Sequence, residues 1–472
     1  MLMDKSLRDL ARGLRAHELS SADLVREAGE NLEASEPRLG AYKTRTREMA
    51  EAGAKQADAA LRSGRDTGVF QGIPVSIKDI YGVPGVPIFA GSSRELPAKW
   101  QSAGPVARCL LDGLAVVMGK THTVEFAFGA LGLNSHWPTP RNPWDARDHR
   151  APGGSSSGAG VSLCQGSAVI ALGTDTGGSV RIPAALTGNV GYKSTIGRWS
   201  TEGIVPLSPY LDTPGILART VDDALLAAAE MDRYFGIAAG AIGSAAAPGS
   251  LRIGIPEHLF FGDCDPGIFE GVMGALHELE RAGHRLVPMP FPEAAQAFEM
   301  FKGGGTAGAE LLAFLRHELP EWIAQLDPNV GTRMTVAAEL SAADYLARRM
   351  AIDELAAAAR MRFANVDVIA APTTAQSPPI LSTIRGWDEY RPLNLKMARN
   401  TSVANFLQLN ALSIPVALDA ARMPVGLQII CDRGKDDLLF AAGLSIEKVL
   451  GTGRERLGPP PSLSLGRGSG RG

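Results

Sequence analysis

The chain has 472 residues, of which 45% are hydrophobic and 21% are charged, the composition of a globular protein with a large core. Its 47 basic and 50 acidic residues give a formal net charge of −3, and no run of one sign stands out, which argues against a nucleic-acid-binding or anionic-lipid-binding protein. A small neutral molecule is therefore the expected partner, with no nucleic acid and no membrane.

The first residues and the cysteines bear on location and redox chemistry. Residues 1–10 include four charged side chains and lack the apolar stretch of a secretion signal, so a cytoplasmic protein is expected. The four cysteines are widely spaced and form no Cys-x-x-Cys pair, the spacing typical of zinc or redox sites. The sequence therefore predicts no metal and no cofactor.

Predicted elements follow changes of pattern along the chain. Residues 1–70 have helical periodicity and are expected to pack as helices on the remainder. From 71 to 235, short β-like runs alternate with helical segments, which predicts a sheet enclosed by helices and contains the candidate catalytic residues. An Ala/Gly-rich stretch at 236–250 predicts a flexible connection, after which α/β alternation resumes over 251–455. Within that part, 292–350 predicts a mainly helical lobe that covers the substrate, and the tail 456–472 is expected to be disordered. The strand-like runs are 73–77, 115–118, 168–172, 285–288, 367–371 and 425–430.

Two glycine- and serine-rich segments lie in the predicted core, PGGSSSG at 152–158 and GTDTGGSVR at 173–181. The second directly follows an apolar run, as a turn at a strand end would. Amide cleavage needs a nucleophile, a base, donors for the oxyanion and a proton for the departing amine. Ser179 is the candidate nucleophile. Candidate oxyanion donors are the backbone N–H groups of Thr176, Gly177, Gly178 and Ser179.

The candidate base is a lysine, because none of the eight histidines has a motif that ties it to Ser179. Lys78 lies in the strand-like run IPVSIKD at 73–79, whose alternation places Ser76 and Lys78 on the same face. Desolvation disfavours the ammonium form, so a buried lysine can lose its charge near neutral pH and act as a base. Taken singly, such a lysine usually lies on a solvated strand face, and a Gly/Ser cluster is usually a surface loop.

Several motifs together resemble the amidase-signature family. They are the lysine run at 72–79, GKT at 119–121, EF at 125–126, RNPW at 141–144, the segment 153–184, APTT at 371–374 and MPVGLQ at 423–428. The separation of 24 positions between Ser155 and Ser179 is that of the family's two catalytic serines. The resemblance covers roughly residues 20–450. It implies a single large α/β/α domain, with a mixed β-sheet covered by helices on both faces.

By this resemblance, Lys78 is the base and Ser179 is the acylated nucleophile. Ser155, preceded by a cis peptide bond, relays the proton between them. Asp175 and Arg181 would brace the nucleophile loop by hydrogen bonds.

The resemblance also places the acyl pocket at residues 126–130, with Phe126, Gly129 and Ala130 as candidate substrate contacts. Aromatic residues of the helical lobe, Phe301, Phe314 and Trp322, favour an apolar or aryl acyl group. Esters, hydrazides or carbamates would also suit such a site, so the sequence determines neither the acyl portion nor the leaving group.

The expected activity is hydrolysis of the C–N bond of a small linear carboxamide to a carboxylate and ammonia or an amine. One alternative, which such sequences also resemble, is the A subunit of a tRNA-dependent glutaminyl/asparaginyl amidotransferase, which hands ammonia to a partner. A second is a non-catalytic phosphate- or nucleotide-binding module, although the chain lacks GxxxxGK[ST] and a GxGxxG that opens a helix. The sequence leaves the oligomeric state open, and a homodimer is compatible with it.

Overall fold

Eleven strands form one mixed sheet in this computed structural model, which describes residues 1–238, 242, 249–257 and 259–464. The strands are β1 (Tyr42–Arg45), β2 (Pro74–Lys78), β3 (Val116–Thr121), β4 (Ile170–Asp175), β5 (Val190–Lys193), β6 (Thr213–Ala218), β7 (Arg252–Pro256), β8 (Arg285–Met289), β9 (Val368–Pro372), β10 (Asn410–Leu418) and β11 (Pro424–Cys431). Their order across the sheet is β1-β3-β2-β4-β6-β5-β10-β11-β9-β7-β8.

The helices connect and cover these strands. They are α1 (Leu7–Arg15), α2 (Ser21–Leu39), α3 (Arg47–Arg62), α4 (Pro105–Asp112), α5 (Ala159–Cys164), α6 (Arg181–Thr187), α7 (Val221–Tyr234), α8 (Ile268–Arg281), α9 (Pro292–Lys302), α10 (Ala307–Glu318), α11 (Pro328–Ala338), α12 (Ala342–Arg360), α13 (Trp387–Phe406), α14 (Asp436–Leu450), α15 (Gly453–Leu457) and α16 (Pro461–Ser464). Short 3-10 turns lie at Leu2–Asp4, Ala98–Gln101, Glu125–Ala127, Pro320–Gln325, Met361–Ala364 and Leu381–Thr383. None of the described helices is both long and apolar enough to cross a membrane.

Both faces of the central part of the sheet are buried, as the predicted α/β/α architecture requires. Alternate residues of β10 belong to different cores: Leu412 packs with α7, α8 and α14, whereas Ala411 packs with residues of α9 and α13. The same alternation occurs in β9, where Ala370 lies in the first core and Ile369 in the second. The mixed sheet with helices on both faces therefore confirms the expected fold class.

Strand β2 lies between β3 and β4 and runs parallel to both. Parallel strands end at the same edge of a sheet, so the end of β2 and the end of β4 lie side by side. The register pairs Ile77 with Leu172, which brings Lys78 level with the last residues of β4. The sheet thus positions the lysine beside the segment that leads to Ser179.

The predicted runs become β2, β3, β4, β8, β9 and β11, with ends shifted by a few residues. The N-terminal region is helical as expected, but it also contributes β1, which pairs antiparallel with β3 at the sheet edge. Most of the predicted connection at 236–250 lies outside the described residues, although Ile242 packs in the core.

The prediction of a disordered tail over 456–472 is wrong for the first part of that range. Residues 456 and 457 belong to α15, and 461–464 form α16. The Ser462 side chain is buried and its hydroxyl donates to the Pro143 carbonyl at 2.5 Å, so this part of the tail docks on the body of the protein. Residues 465–472 lie outside the described residues.

Candidate active site

Lys78 ends β2 and its side chain is fully buried. Its Nζ donates to Ser155 Oγ at 2.7 Å and to Thr174 Oγ1 at 3.0 Å. Burial lowers the pKa of Lys78 to about 7, although the negative charges of Asp212 and Asp175 oppose this effect. A large fraction of the lysine is therefore uncharged at neutral pH and able to accept a proton.

Ser155 lies in the first serine-rich segment, and the Gly154–Ser155 peptide bond is cis, as the family resemblance implied. The Gly154 N–H donates to the Ala130 carbonyl at 2.8 Å. The Ser156 N–H donates to the Ser179 carbonyl at 3.3 Å, so the two serine segments are adjacent. No hydrogen bond joins the Ser155 and Ser179 hydroxyls among the described residues. The structure therefore brings the three predicted residues together but shows a direct contact only between Lys78 and Ser155.

The loop that carries Ser179 is organised by the buried Asp175 carboxylate. Asp175 accepts from the Gly178 N–H at 2.8 Å, the Val180 N–H at 3.1 Å and the Arg181 guanidinium at 2.9 Å. Burial alone would raise the pKa of Asp175, but the Arg181 guanidinium holds it well below its usual range. These bonds are of the kind predicted for Asp175 and Arg181.

One of the four predicted oxyanion donors is unsuitable. Because the Gly178 N–H already donates to Asp175, it is not available to an oxyanion. The N–H groups of Thr176, Gly177 and Ser179 have no acceptor in the described part of the chain, and all three residues line the same cavity. The hydrogen bond from Gly178 to Asp175 therefore leaves the N–H groups of Thr176, Gly177 and Ser179 as the candidate oxyanion donors.

The Ser179 loop lines a cavity of about 910 Å³. Helices α9 to α12, which span the predicted lobe at 292–350, and helix α13 supply much of its wall. Gly129, Ala130 and Phe301 line the cavity, and their contact with substrate stays a prediction. None of its described lining residues is a histidine.

Three aromatic residues lie elsewhere than predicted. The Phe126 side chain is fully buried in the hydrophobic core, and Phe128 lines the cavity in its place. Trp322 packs in the same core, and Phe314 lines a separate cavity. The candidate contact at Phe126 and two of the three aromatic residues that favoured an aryl acyl group are therefore not at this cavity.

Asp212 is a site residue that the sequence patterns did not reveal. It is buried and accepts a hydrogen bond from the Thr176 hydroxyl, while the N–H groups of Leu207 and Ser208 donate to it at 2.9 and 3.0 Å. Burial raises its pKa to about 6. Its position directly before β6, which pairs with β4, was the only available signal.

Comparisons with known proteins agree with one another. The sequence pattern of the amidase family matches residues 23–440. The chain is 47% identical over 456 residues to a 2-amino-5-chloromuconic acid deaminase of Comamonas testosteroni, covering 96% of this chain and 98% of that protein. It is 33% identical over 489 residues to the A subunit of a glutamyl-tRNA(Gln) amidotransferase from Anaeromyxobacter dehalogenans, covering 94% and 96%. A crystal structure of an amidase matches with a TM-score of 0.84 at 27% identity, covering 95% of this chain and all of that one.

Proposed function

This chain belongs to the amidase family, and we propose that it hydrolyses its substrate with Ser179 as nucleophile, Ser155 as proton relay and Lys78 as base. The protein is an amidase, a hydrolase that acts on the C–N bond of a small amide. The residue assignment is carried by one observation: a fully buried Lys78 amine lies 2.7 Å from Ser155 Oγ, next to the Ser179 loop.

The proposed acylation begins with uncharged Lys78. Ser155 gives its proton to Lys78 Nζ and takes the proton of Ser179, whose oxygen attacks the substrate carbonyl carbon. The oxyanion accepts from the N–H groups of Thr176, Gly177 and Ser179.

The proton then returns from Lys78 through Ser155 to the substrate nitrogen, and the C–N bond breaks with release of ammonia or an amine. The acyl group stays on Ser179 as an ester. Water, deprotonated through the same pair, attacks this ester and releases the carboxylate, which restores the hydroxyl of Ser179.

Deamination of an unsaturated amino acid is a second candidate reaction, favoured by the 47% identity to the 2-amino-5-chloromuconic acid deaminase. The amino group of such a compound sits on an sp² carbon. In the imine form, water replaces nitrogen, so that C=N becomes C=O and ammonia leaves. This reaction also needs a proton for the departing nitrogen, which Lys78 and Ser155 would supply.

Ammonia release by the purified chain tests these proposals. The panel contains aliphatic, aryl and dicarboxylic monoamides and 2-aminomuconate, each assayed with the wild-type protein and with Ser179→Ala. We expect amide turnover by the chain alone and no amide turnover by the variant. Undiminished activity of Ser179→Ala would overturn the assignment of the nucleophile.

The same assay separates a stand-alone enzyme from one component of an amidotransferase. Such a component would release ammonia only together with its partner proteins and a charged tRNA. We propose that this chain acts without a partner protein, so its activity should not rise when the other amidotransferase components are added.

A further inference from the structure

The cavity in front of Ser179 has more basic than acidic side chains. The basic ones are Lys302, Arg333, Arg348 and Arg391, and the acidic ones are Glu339 and Asp344. Lys302 is paired with Glu299 at 2.7 Å. None of the three arginines pairs with a carboxylate in the described ranges of the chain. A cavity wall with unneutralised guanidinium groups is better suited to an anion than to a neutral acyl group.

Arg333 is the arginine with the best-defined geometry. Its Nη1 donates to the Phe128 carbonyl at 3.1 Å, and its guanidinium lies 4.4 Å from the Phe128 ring centroid and 5.7 Å from that of Tyr390. Both distances lie within the range of cation–π interaction, which favours this position of the guanidinium. Its Nε and Nη2 have no protein acceptor among the described residues, so two donors remain for a carboxylate.

The loop at residues 128–130 accepts hydrogen bonds from Arg333 and from the segment that contains Ser155. Phe128 accepts from Arg333, and two residues later the Ala130 carbonyl accepts from the Gly154 N–H at 2.8 Å. Arg333 and Ser179 both line the same cavity. A substrate whose reactive carbon lies at Ser179 and whose carboxylate lies at Arg333 would therefore extend across part of this cavity.

We propose that Arg333 binds a carboxylate of the substrate and that the enzyme selects acidic substrates, with the carboxylate a few carbons from the C–N bond that breaks. The proposal rests on the proposed function, because it places the reacting carbon at Ser179. Apolar lining residues such as Phe301 and Phe406 contact the hydrocarbon between the two ends. An acidic substrate replaces the neutral small molecule that the net charge of the whole chain suggested, because selectivity depends on the few charged side chains that line the cavity.

Two amides of equal length provide the test. Adipic acid monoamide carries a terminal carboxylate, and hexanamide carries a methyl group in its place. We expect the wild type to have a higher kcat/KM for the monoamide. Arg333→Met should lower that kcat/KM roughly 10- to 100-fold, mainly through KM, which is the effect of losing a charge-assisted hydrogen bond. The kcat/KM of Arg333→Met for hexanamide should not fall.

Two matched variants locate the effect. Arg348→Met removes the other half-buried arginine of the cavity, whose Nη1 donates to the Gly305 carbonyl at 2.7 Å, and should retain the preference for the monoamide. Arg316→Met removes an exposed arginine of α10 outside the cavity and should behave as wild type. If Arg348→Met abolished the preference while Arg333→Met kept it, the assignment to Arg333 would be overturned. An equal loss on both amides in Arg333→Met would also overturn it, since it would show a structural role only.

Binding of cis,cis-muconate, a dicarboxylate without a C–N bond, gives a readout that needs no catalysis. Calorimetry should detect its binding to wild type and to Ser179→Ala, and a weaker binding to Arg333→Met. Binding that depends on Arg333 in a protein that hydrolyses no amide would refute the proposed function alone. Amide turnover without preference for the acidic substrate, together with muconate binding unaffected by Arg333→Met, would refute this inference alone.

Discussion

The protonation state of Lys78 sets a specific pH dependence of activity. A lysine with the ordinary pKa of 10.5 would be uncharged in about one molecule in three thousand at pH 7, whereas a pKa of about 7 leaves about half of it uncharged. The difference corresponds to about 5 kcal/mol of destabilisation of the ammonium form. Because the base acts when uncharged, kcat/KM should rise about tenfold per pH unit below the Lys78 pKa and level off above it.

The variant Asp212→Asn tests whether the acid limb of the kcat/KM profile belongs to Lys78 or to Asp212, which also titrates near this pH. The negative charge of Asp212 opposes the effect of burial on Lys78, so its removal should lower the Lys78 pKa further. The acid limb of kcat/KM should then move to lower pH by roughly one unit. The substituted amide keeps an oxygen that can accept from the Thr176 hydroxyl, which preserves the contact made by Asp212.

The assay is ammonia release over pH 5 to 9, at substrate concentrations well below KM. Asp222→Asn, a change of a partly exposed carboxylate on α7, serves as the control and should leave the profile in place. Asp212 itself has a pKa raised to about 6 by burial. If the acid limb disappeared in Asp212→Asn instead of moving, the limb would belong to Asp212, and the reasoning about Lys78 as base would be refuted.

Two further predictions concern the serine segments. Ser155→Ala should reduce kcat about 10²- to 10⁴-fold in ammonia-release assays, because a positioned proton carrier contributes about that much to the rate. Ser157→Ala, two residues away, should retain activity. Equal activity of the two variants would argue against Ser155 as the proton relay. Gly178→Ala should lower the free energy of unfolding in urea by about 1–3 kcal/mol, because its Cβ would lie 2.1 Å from Thr401 Oγ1 at a φ of +125°. At Gly177 the nearest atom to an added Cβ is 3.5 Å away, so Gly177→Ala should be close to wild type in stability, and equal losses would contradict the steric argument.

Local patterns indicated Lys78 and Ser179 as candidate catalytic residues, and the family resemblance added Ser155. The alternation in β2 placed Ser76 and Lys78 on one face, and in the structure Ser76 Oγ lies 2.8 Å from Ser162 Oγ while Lys78 contacts Ser155. The shared face of Ser76 and Lys78 depends on alternation along the strand, which is a local property, whereas their partners Ser162 and Ser155 lie 86 and 77 positions away.

Features that depend on distant segments were not predictable. Arg333 reaches Phe128 across about 200 positions of sequence, and no local pattern in α11 indicates that contact. The loss of Gly178 as an oxyanion donor depends on the rotamer of the Asp175 side chain. Phe126 has a φ of +47° and a fully buried side chain, and the local sequence predicts neither this backbone conformation nor the side of the loop on which the ring lies.

Support for the loop of Ser179, the proposed nucleophile, comes from the second half of the chain. Asn405 donates to the Asp175 carboxylate at 2.8 Å and accepts from Arg181 at 2.6 Å, and Thr401 donates to the Gly177 carbonyl at 2.9 Å. A ribosome thus finishes the reactive residues by position 181 and adds their supports more than 200 residues later, roughly 10–45 s at ordinary rates of synthesis. The nascent chain therefore carries its lysine and serines through about half of translation without the framework that orients them, so hydrolytic competence arises only when the protein is nearly complete.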